Sequence, residues 1–374
     1  MTTGAPARLL RVPCVQSTTT ITRDQMCGAP ANTVGWHGML RTPRAPARAW
    51  CLRPAAHAHA RACAYLCARR ADLGLIHSAR FTNMTSRAKQ RIYYVYGDAS
   101  LGDFANETVF FVPPLPGDAS LPTRLIMFGD LGRGSDDDAS TWQEYGRQAK
   151  NTTVRILSDD IAPMLNGSAT HMLHGVVHYG DISYATGYLS VWDSFLDMWG
   201  PVASAVPYIT SVGNHESDAP GTASFYNGTD SGGECGVCAT TLIPVPAAAA
   251  PNLASASRAL RAAAPAARAL AANTNTPWYS MNIGMVHLIM VSTEHDFLKG
   301  SAQYVWLKAD LAAVNRSVTP WVIATLHRPM YIDSSFMGSW RSDQTVAELL
   351  RANLEDLFWQ YRVNVAFYGH NHAV

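Results

Sequence analysis

The sequence predicts a layered α/β fold. Two observations carry that prediction. Six apolar runs of buried-strand length recur along the chain: RLIMFGD, HGVVHYGD, PYITSVGNHE, MVHLIMVSTEH, PWVIATLHRP and VNVAFYGHNH. Stretches with helical spacing separate them, so strands and helices alternate. A third observation gives the fold a direction, because five of the six runs end in residues able to ligate a metal.

Taken in order, residues 1–75 are rich in Ala, Arg, Pro and Cys and poor in acids. No helical or strand period persists there. The expectation is a disordered segment, or one appended by a faulty gene prediction. His57, His59, Cys63 and Cys67 match no common zinc spacing. Within 76–118, IYYVYGD and ETVFFVPP read as a β-hairpin around a Gly-containing turn. Two strands are marginal alone, so they should join a larger β-unit or pack on the next domain.

Residues 119–374 hold the alternating region. Trp192, Phe195, Leu196 and Trp199 share one helical face, as do Leu350, Leu354, Leu357, Phe358 and Tyr361. Ser301 stands at the N-cap of a helix over 301–316. Residues 244–272 are Ala-dominated and read as an inserted surface loop.

Bulk properties narrow the function classes. With 374 residues and 48% hydrophobic content, the chain can bury a sizeable core. A net charge of +1 gives no bulk attraction to nucleic acid or a membrane surface. No apolar run approaches the roughly 18 residues of a membrane helix. Cysteines crowd the first 70 residues, and only Cys235 and Cys238 lie beyond, which is no disulfide scaffold. Their C-x-x-C lacks the context of a redox motif and reads as structural. Glycosylation sequons at Asn83, Asn106, Asn151, Asn166, Asn227 and Asn315 point to the secretory route, although no apolar signal core opens the chain.

The chemistry lies at the strand ends. RLIMF leads to Gly129-Asp130, and GVVHY to Gly180-Asp181 with Tyr184 three residues on. YITSV leads to Gly213-Asn214-His215-Glu216, WVIATL to His327, and VNVAFY to Gly369-His370-Asn371-His372. In open α/β sheets the C-terminal edge is where ligands bind. Carboxylate and phenolate suit a hard ion such as Fe(III), whereas imidazole and amide oxygen suit Zn(II), Mn(II) or Fe(II). A carboxylate shared by two cations lowers their repulsion, and Asp181 is the candidate bridge. Two metals about 4 Å apart can clamp a phosphoryl group and supply hydroxide near neutral pH.

In this order, GD-x-G, GD-x-x-Y, GNHE, a post-strand His and GH-x-H resemble the metallophosphoesterase superfamily. Tyr184 narrows the resemblance to purple acid phosphatases, and VSTEHDF, SAQYVWLKADLAAVNR and HRPMY are similar to the plant-type branch. It covers roughly residues 91–374 apart from the Ala-rich insert. The resemblance implies a metallophosphoesterase-type β-sandwich flanked by helices, preceded by part of a fibronectin-III-like domain. It implies Asp130, Asp181, Tyr184 and His372 around Fe(III). Asp181, Asn214, His327 and His370 would surround a second metal, Zn, Mn or Fe(II). His215 would contact the phosphate or protonate the leaving group. The implied reaction is attack of metal-bound hydroxide on a phosphate monoester at acidic pH, in a secreted or vacuolar glycoprotein acting on small phosphate esters, with room for a homo-oligomer.

Departures keep alternatives open. Leu326 stands where many relatives have Gly, and Phe336-Met337 replace a substrate-binding histidine pair of some plant members. The chain stops two residues after His372, where relatives continue with further strands. A phosphodiesterase or pyrophosphatase, or an inactive metal-binding remnant, are the competing readings. Glu216 is expected to brace His215 or a helix start, and Arg328 to touch phosphate or form a salt bridge. His171, His174, His178, His287 and His295 are assigned to core and rim.

Overall fold

The computed structural model describes residues 84–98, 103–133, 149–217, 230–245, 277–332 and 343–372, and shorter pieces at 14–19, 21, 25–26, 53–54 and 76–81. Most of the Ala-rich insert, Phe336-Met337, Asn83 and Asn227 lie outside these residues, as do His57, His59, Cys63 and Cys67.

Fourteen strands are described: β1 (Cys14–Thr19), β2 (Arg53–Pro54), β3 (Ile76–Phe81), β4 (Arg91–Val95), β5 (Gly97–Asp98), β6 (Asp103–Phe104), β7 (Thr108–Phe111), β8 (Leu125–Phe128), β9 (Gly175–Tyr179), β10 (Tyr208–Ser211), β11 (Tyr279–Ile283), β12 (Val286–Met290), β13 (Trp321–Leu326) and β14 (Val365–Tyr368). All six predicted apolar runs form strands. They divide between two sheets. One has the order β10-β9-β8 and is parallel throughout. The other has the order β11-β12-β13-β14, antiparallel at β11-β12 and parallel beyond.

Alternation along each strand explains the layering. Val177 and Tyr179 of β9, Leu125 and Met127 of β8, Leu288 and Met290 of β12, Ile323 and Phe367 share one cluster between the sheets. The intervening residues face outward into helices. Val176, Ile126 and Phe128 join Trp192, Phe195 and Trp199 of the helix Leu189–Ala203. Ile289, Val322, Ala324 and Leu326 join Leu350, Leu354, Leu357 and Phe358. The last four lie on helical turns running from Asp343 to Gln360. Each such fully buried side chain contributes about 1.5–3 kcal/mol of transfer free energy. The result is a mixed α/β sandwich flanked by helices. Ser301 caps the helix Ala302–Ala313 as expected, its hydroxyl accepting from the Tyr304 amide at 3.1 Å.

The predicted hairpin is present as β4 and β7, antiparallel with Arg91 opposite Phe111. It docks on the α/β layers. Tyr94 donates its hydroxyl to the Ser204 carbonyl at 2.9 Å, and the Phe111 amide donates to the Ala205 carbonyl at 3.1 Å.

Residues 1–75 depart in part from the expected disorder. β1 pairs antiparallel with β3 over six residues, and β2 pairs with β4. Ile21 and Met26 are buried in the cluster that holds Trp192 and Phe195. The run CVQSTT carries β-branched residues, and a strand needs only a partner edge to form. That edge is sixty residues away, where the Phe81 ring meets Tyr94 at 6.2 Å and Phe110 at 6.5 Å.

Of the sequon asparagines within the described residues, Asn106, Asn151, Asn166 and Asn315 are all exposed. No described helix is long and apolar enough to cross a membrane. Cys238 is a buried free thiol whereas Cys235 is disulfide-bonded, so the two do not pair with each other.

Candidate metal centre

The predicted ligands leave their strands through sharp turns. Asp130, Asp181, Tyr184 and His370 all have positive φ, between 50° and 69°. Non-glycine residues adopt that conformation at a cost of about 1–3 kcal/mol, and such strain clusters at functional sites. It carries each side chain over the lip of the sheets instead of along them.

Glycines make the close packing feasible. A Cβ at Gly213 would lie 2.8 Å from His327 Nε2 and would collide with the Asp181 carboxylate. At Gly180, whose φ is +95°, it would meet the His327 ring at 2.5 Å.

All seven predicted ligand side chains come together, in two groups that share a wall. In the first, Tyr184 Oη lies 3.2 Å from Asp130 Oδ1 and 3.0 Å from His372 Nε2. His372 Nε2 is 3.3 Å from the same Asp130 oxygen. In the second, Asn214 Oδ1 lies 2.9 Å from His327 Nε2 and 2.9 Å from His370 Nδ1. His327 Nε2 is also 3.2 Å from Asp181 Oδ1. Ligand atoms of Asp181, His327 and His370 fall within 4.8 Å of one another, the one cluster of this kind found among the described residues.

These spacings fit a cation. An ion about 2.1 Å from its ligands holds neighbouring ligand atoms about 3.0–3.4 Å apart, octahedral to tetrahedral. The donor set fits as well, with oxygen-rich donors beside Tyr184 and imidazoles beside Asn214.

The electrostatics follow from burial and crowding. Burial alone would raise the Asp181 carboxyl, but the facing imidazoles of His327, His215 and His370 hold it well below the usual carboxylate range. Burial alone would lower His327, and the Asp181 carboxylate reverses this and raises it. Burial, with Asp181 and Asp130 close by, pushes the Tyr184 hydroxyl far above its ordinary value. A phenolate at Tyr184 therefore requires a strong positive charge beside it.

His215 opens from the same turn as Asn214, on the short helix Asn214–Ser217. Its amide donates to Asp181 Oδ1 at 3.0 Å, its ring sits 4.6 Å from the Tyr184 ring, and Nδ1 lies 3.2 Å from the Asp230 carbonyl oxygen. Of its two expected roles, Glu216 takes the helix start, not His215, since it accepts from the Gly213 amide just before the helix Asn214–Ser217. It is fully buried and clamps two ligand loops, accepting from the Ile182 amide at 2.7 Å and the Gly213 amide at 3.0 Å. Arg328 takes the salt-bridge role, gripping buried Glu294 at 2.9 and 3.1 Å. His174, His178, His287 and His295 are buried core groups as expected.

Three partners escape the sequence reading. Asp230 accepts from Asn214 Nδ2 at 3.1 Å. Asp343 contacts His370 Nε2 at 3.0 Å. Glu294 had a signal, because it follows β12 at the same lip to which the other five strands deliver ligands. Asp230 and Asp343 had none: no apolar run of strand length leads into either in the sequence.

The family model for the calcineurin-like phosphoesterases matches residues 123–374. A relative from Arabidopsis thaliana named "Probable inactive purple acid phosphatase 27" is 34% identical over 95% of this chain and 47% of its own length. A nucleotide pyrophosphatase/phosphodiesterase from Hordeum vulgare is 34% identical over 72% of this chain and 63% of its own. The structure of purple acid phosphatase PPD1 from yellow lupin (Lupinus luteus) seeds superposes with a TM-score of 0.67 and 31% identity, covering 98% of this chain and 52% of that one. The chain spans about half the length of the curated relatives it matches most broadly.

Proposed function

We propose, for a chain that belongs to the calcineurin-like phosphoesterase family and within it to the plant-type purple acid phosphatases, that it hydrolyses phosphate monoesters at a two-cation site. The observation that carries the reading is the meeting of seven ligand side chains from five strand ends at cation-fitting distances.

Asp130, Tyr184 and His372 would hold Fe(III), and Asn214, His327 and His370 a second ion, Zn(II), Mn(II) or Fe(II). Asp181 lies between the two groups and would serve both. When bound, such a pair neutralises phosphate charge and makes water a competent nucleophile near neutral pH. The chain's own groups do the rest. The Asp230 carbonyl can only accept, so His215 Nδ1 carries the proton that faces it. That leaves His215 Nε2, 3.9 Å from Asp181 Oδ2, as the nitrogen that would give up the second proton of an imidazolium to a departing alkoxide. Glu216 and the Tyr179 carbonyl keep Gly213 and His327 in place, so the ligands need no rearrangement to act.

The residues that hold the site lie within 119–374, read as the catalytic domain, with 76–118 as a remnant of a fibronectin-III-like unit. The four exposed sequons support a glycosylated product of the secretory route, destined for the vacuole or the extracellular space.

The test is turnover of p-nitrophenyl phosphate against bis(p-nitrophenyl) phosphate at acidic pH, with iron and zinc measured per chain. Preference for the monoester with two metals bound is the expected result. Preference for the diester would move the function toward that of the Hordeum relative. Two metals with neither ester cleaved would make the chain an inactive remnant, the reading that the Arabidopsis relative's name suggests.

Tyr184→Phe supplies a second check. It should abolish the visible absorbance of the iron-loaded protein while leaving the far-ultraviolet circular dichroism unchanged. Persisting colour would remove Tyr184 from the ligand set.

A further inference from the structure

We propose that Asp343 is a positioning residue that fixes the tautomer and ring orientation of His370, so that Nδ1 presents its lone pair to the second cation. This rests on the two-cation reading above.

His370 Nδ1 faces Asn214 Oδ1 at 2.9 Å, on the wall shared with His327. Its other nitrogen, Nε2, points away and lies 3.0 Å from Asp343 Oδ1. A carboxylate oxygen only accepts, so this contact keeps a proton on Nε2, and the lone pair of the neutral ring then falls on Nδ1, where a cation would take the place of the contact with Asn214 Oδ1. The neighbouring ligand uses the same device. His327 Nδ1 faces the Tyr179 carbonyl at 3.2 Å, which puts its proton there and leaves Nε2 for the site.

Arg328 opposes this arrangement. Its Nη1 lies 3.3 Å from His370 Nε2, and a guanidinium there would favour a bare Nε2 and a protonated Nδ1. Without Asp343, the ring would turn its wrong face to the cation. With Asp343 present, His370 reaches a shorter contact, and Arg328 Nη1 finds the same carboxylate at 3.9 Å. The rest of the guanidinium is already committed to Glu294.

Asp343 is also firmly mounted. It opens the helix Asp343–Leu350, which buries Val346, Ala347 and Leu350. Gln344 Nε2 donates to the Ile332 carbonyl at 3.1 Å, and Arg351 Nη1 to the Met330 carbonyl at 2.7 Å. Both bonds tie these turns to the loop that follows His327. A carboxylate behind a ligating imidazole also raises its basicity, and losing such a partner typically lowers metal affinity about 10–100-fold.

The experiment titrates Zn(II) into chelator-stripped full-length protein against a chromophoric competitor, for wild type, Asp343→Ala, Asp343→Asn and Asp343→Glu. The Ala variant should weaken the second zinc about 10–100-fold and leave the first unchanged. Asn, which keeps an acceptor but no charge, should fall between Ala and wild type, and Glu should restore part of the loss. Imidazole 15N shifts of the zinc-loaded protein should show the His370 proton fixed on Nε2 in wild type and no longer fixed there in the Ala variant. Wild-type zinc affinity in both Ala and Asn, with an unchanged His370 tautomer, overturns the assignment alone. A wild-type chain that takes up no zinc overturns it together with the two-cation reading.

Discussion

Asp181→Ala should strip both cations and abolish phosphatase activity, the largest functional loss expected of any single change. Asp181 is the residue proposed to serve both ligand groups. Its Oδ1 lies 3.2 Å from His327 Nε2 on one side, and the carboxylate raises the Tyr184 hydroxyl on the other. Two cations about 4 Å apart repel strongly, and the shared negative charge offsets that repulsion. Removing it also frees His215, whose amide donates to the same oxygen. Metal content by plasma mass spectrometry, with turnover of a monoester, checks the expectation. Retention of one full equivalent of each metal would show that Asp181 bridges nothing. Far-ultraviolet circular dichroism separates metal loss from unfolding.

Arg328→Met should destabilise the fold by about 3–5 kcal/mol, because it leaves the Glu294 carboxylate buried without a counterion. Glu294 is fully buried and Arg328 nearly so, and two charge-assisted hydrogen bonds join them. Burial alone would raise the Glu294 carboxyl; the guanidinium overrides this and holds it below its ordinary value. In the wild type this pair therefore contributes stability that is present above the usual glutamate pKa and lost as pH falls. In the variant the sign reverses, since an unpartnered buried carboxyl is raised. The destabilisation should shrink as pH falls through the carboxylate range and Glu294 can protonate. Urea midpoints of the metal-stripped protein at neutral and acidic pH measure both effects. A stable variant with lost activity would instead assign Arg328 to the substrate.

The convergence of the seven candidate ligands was legible because each lies in a sequence block that opens at a glycine or a strand end. GD, GD-x-x-Y, GNHE and GH-x-H encode both the turn and the ligand. The helical faces of Trp192, Phe195 and Trp199 were legible for the same reason, since their period is local. What escaped depends on distance along the chain. β1 pairs with β3 sixty residues later, and CVQSTT is too short to reveal this alone. Asp343 reads as an ordinary acidic residue opening a helix, and its contact with His370 exists only after the helix has packed. Glu216 was legible as a brace for a helix start, but its second partner, the Ile182 amide, was not, because backbone amides look alike in sequence. The two-layer sandwich followed from the resemblance, but which strand joins which sheet was hidden, because buried strands of either sheet show the same apolar run.

The left-handed backbone at Asp130, Asp181, Tyr184 and His370 also shapes how such a protein can decay. Asparagine tolerates that conformation nearly as well as any residue but glycine. An Asp-to-Asn replacement at either carboxylate would thus leave the chain trace intact while removing a charge that would attract a cation. Descendants under relaxed selection would shed chemistry before architecture. Shape alone will not separate working members of this lineage from silent ones; the side chains at these four hinge points will.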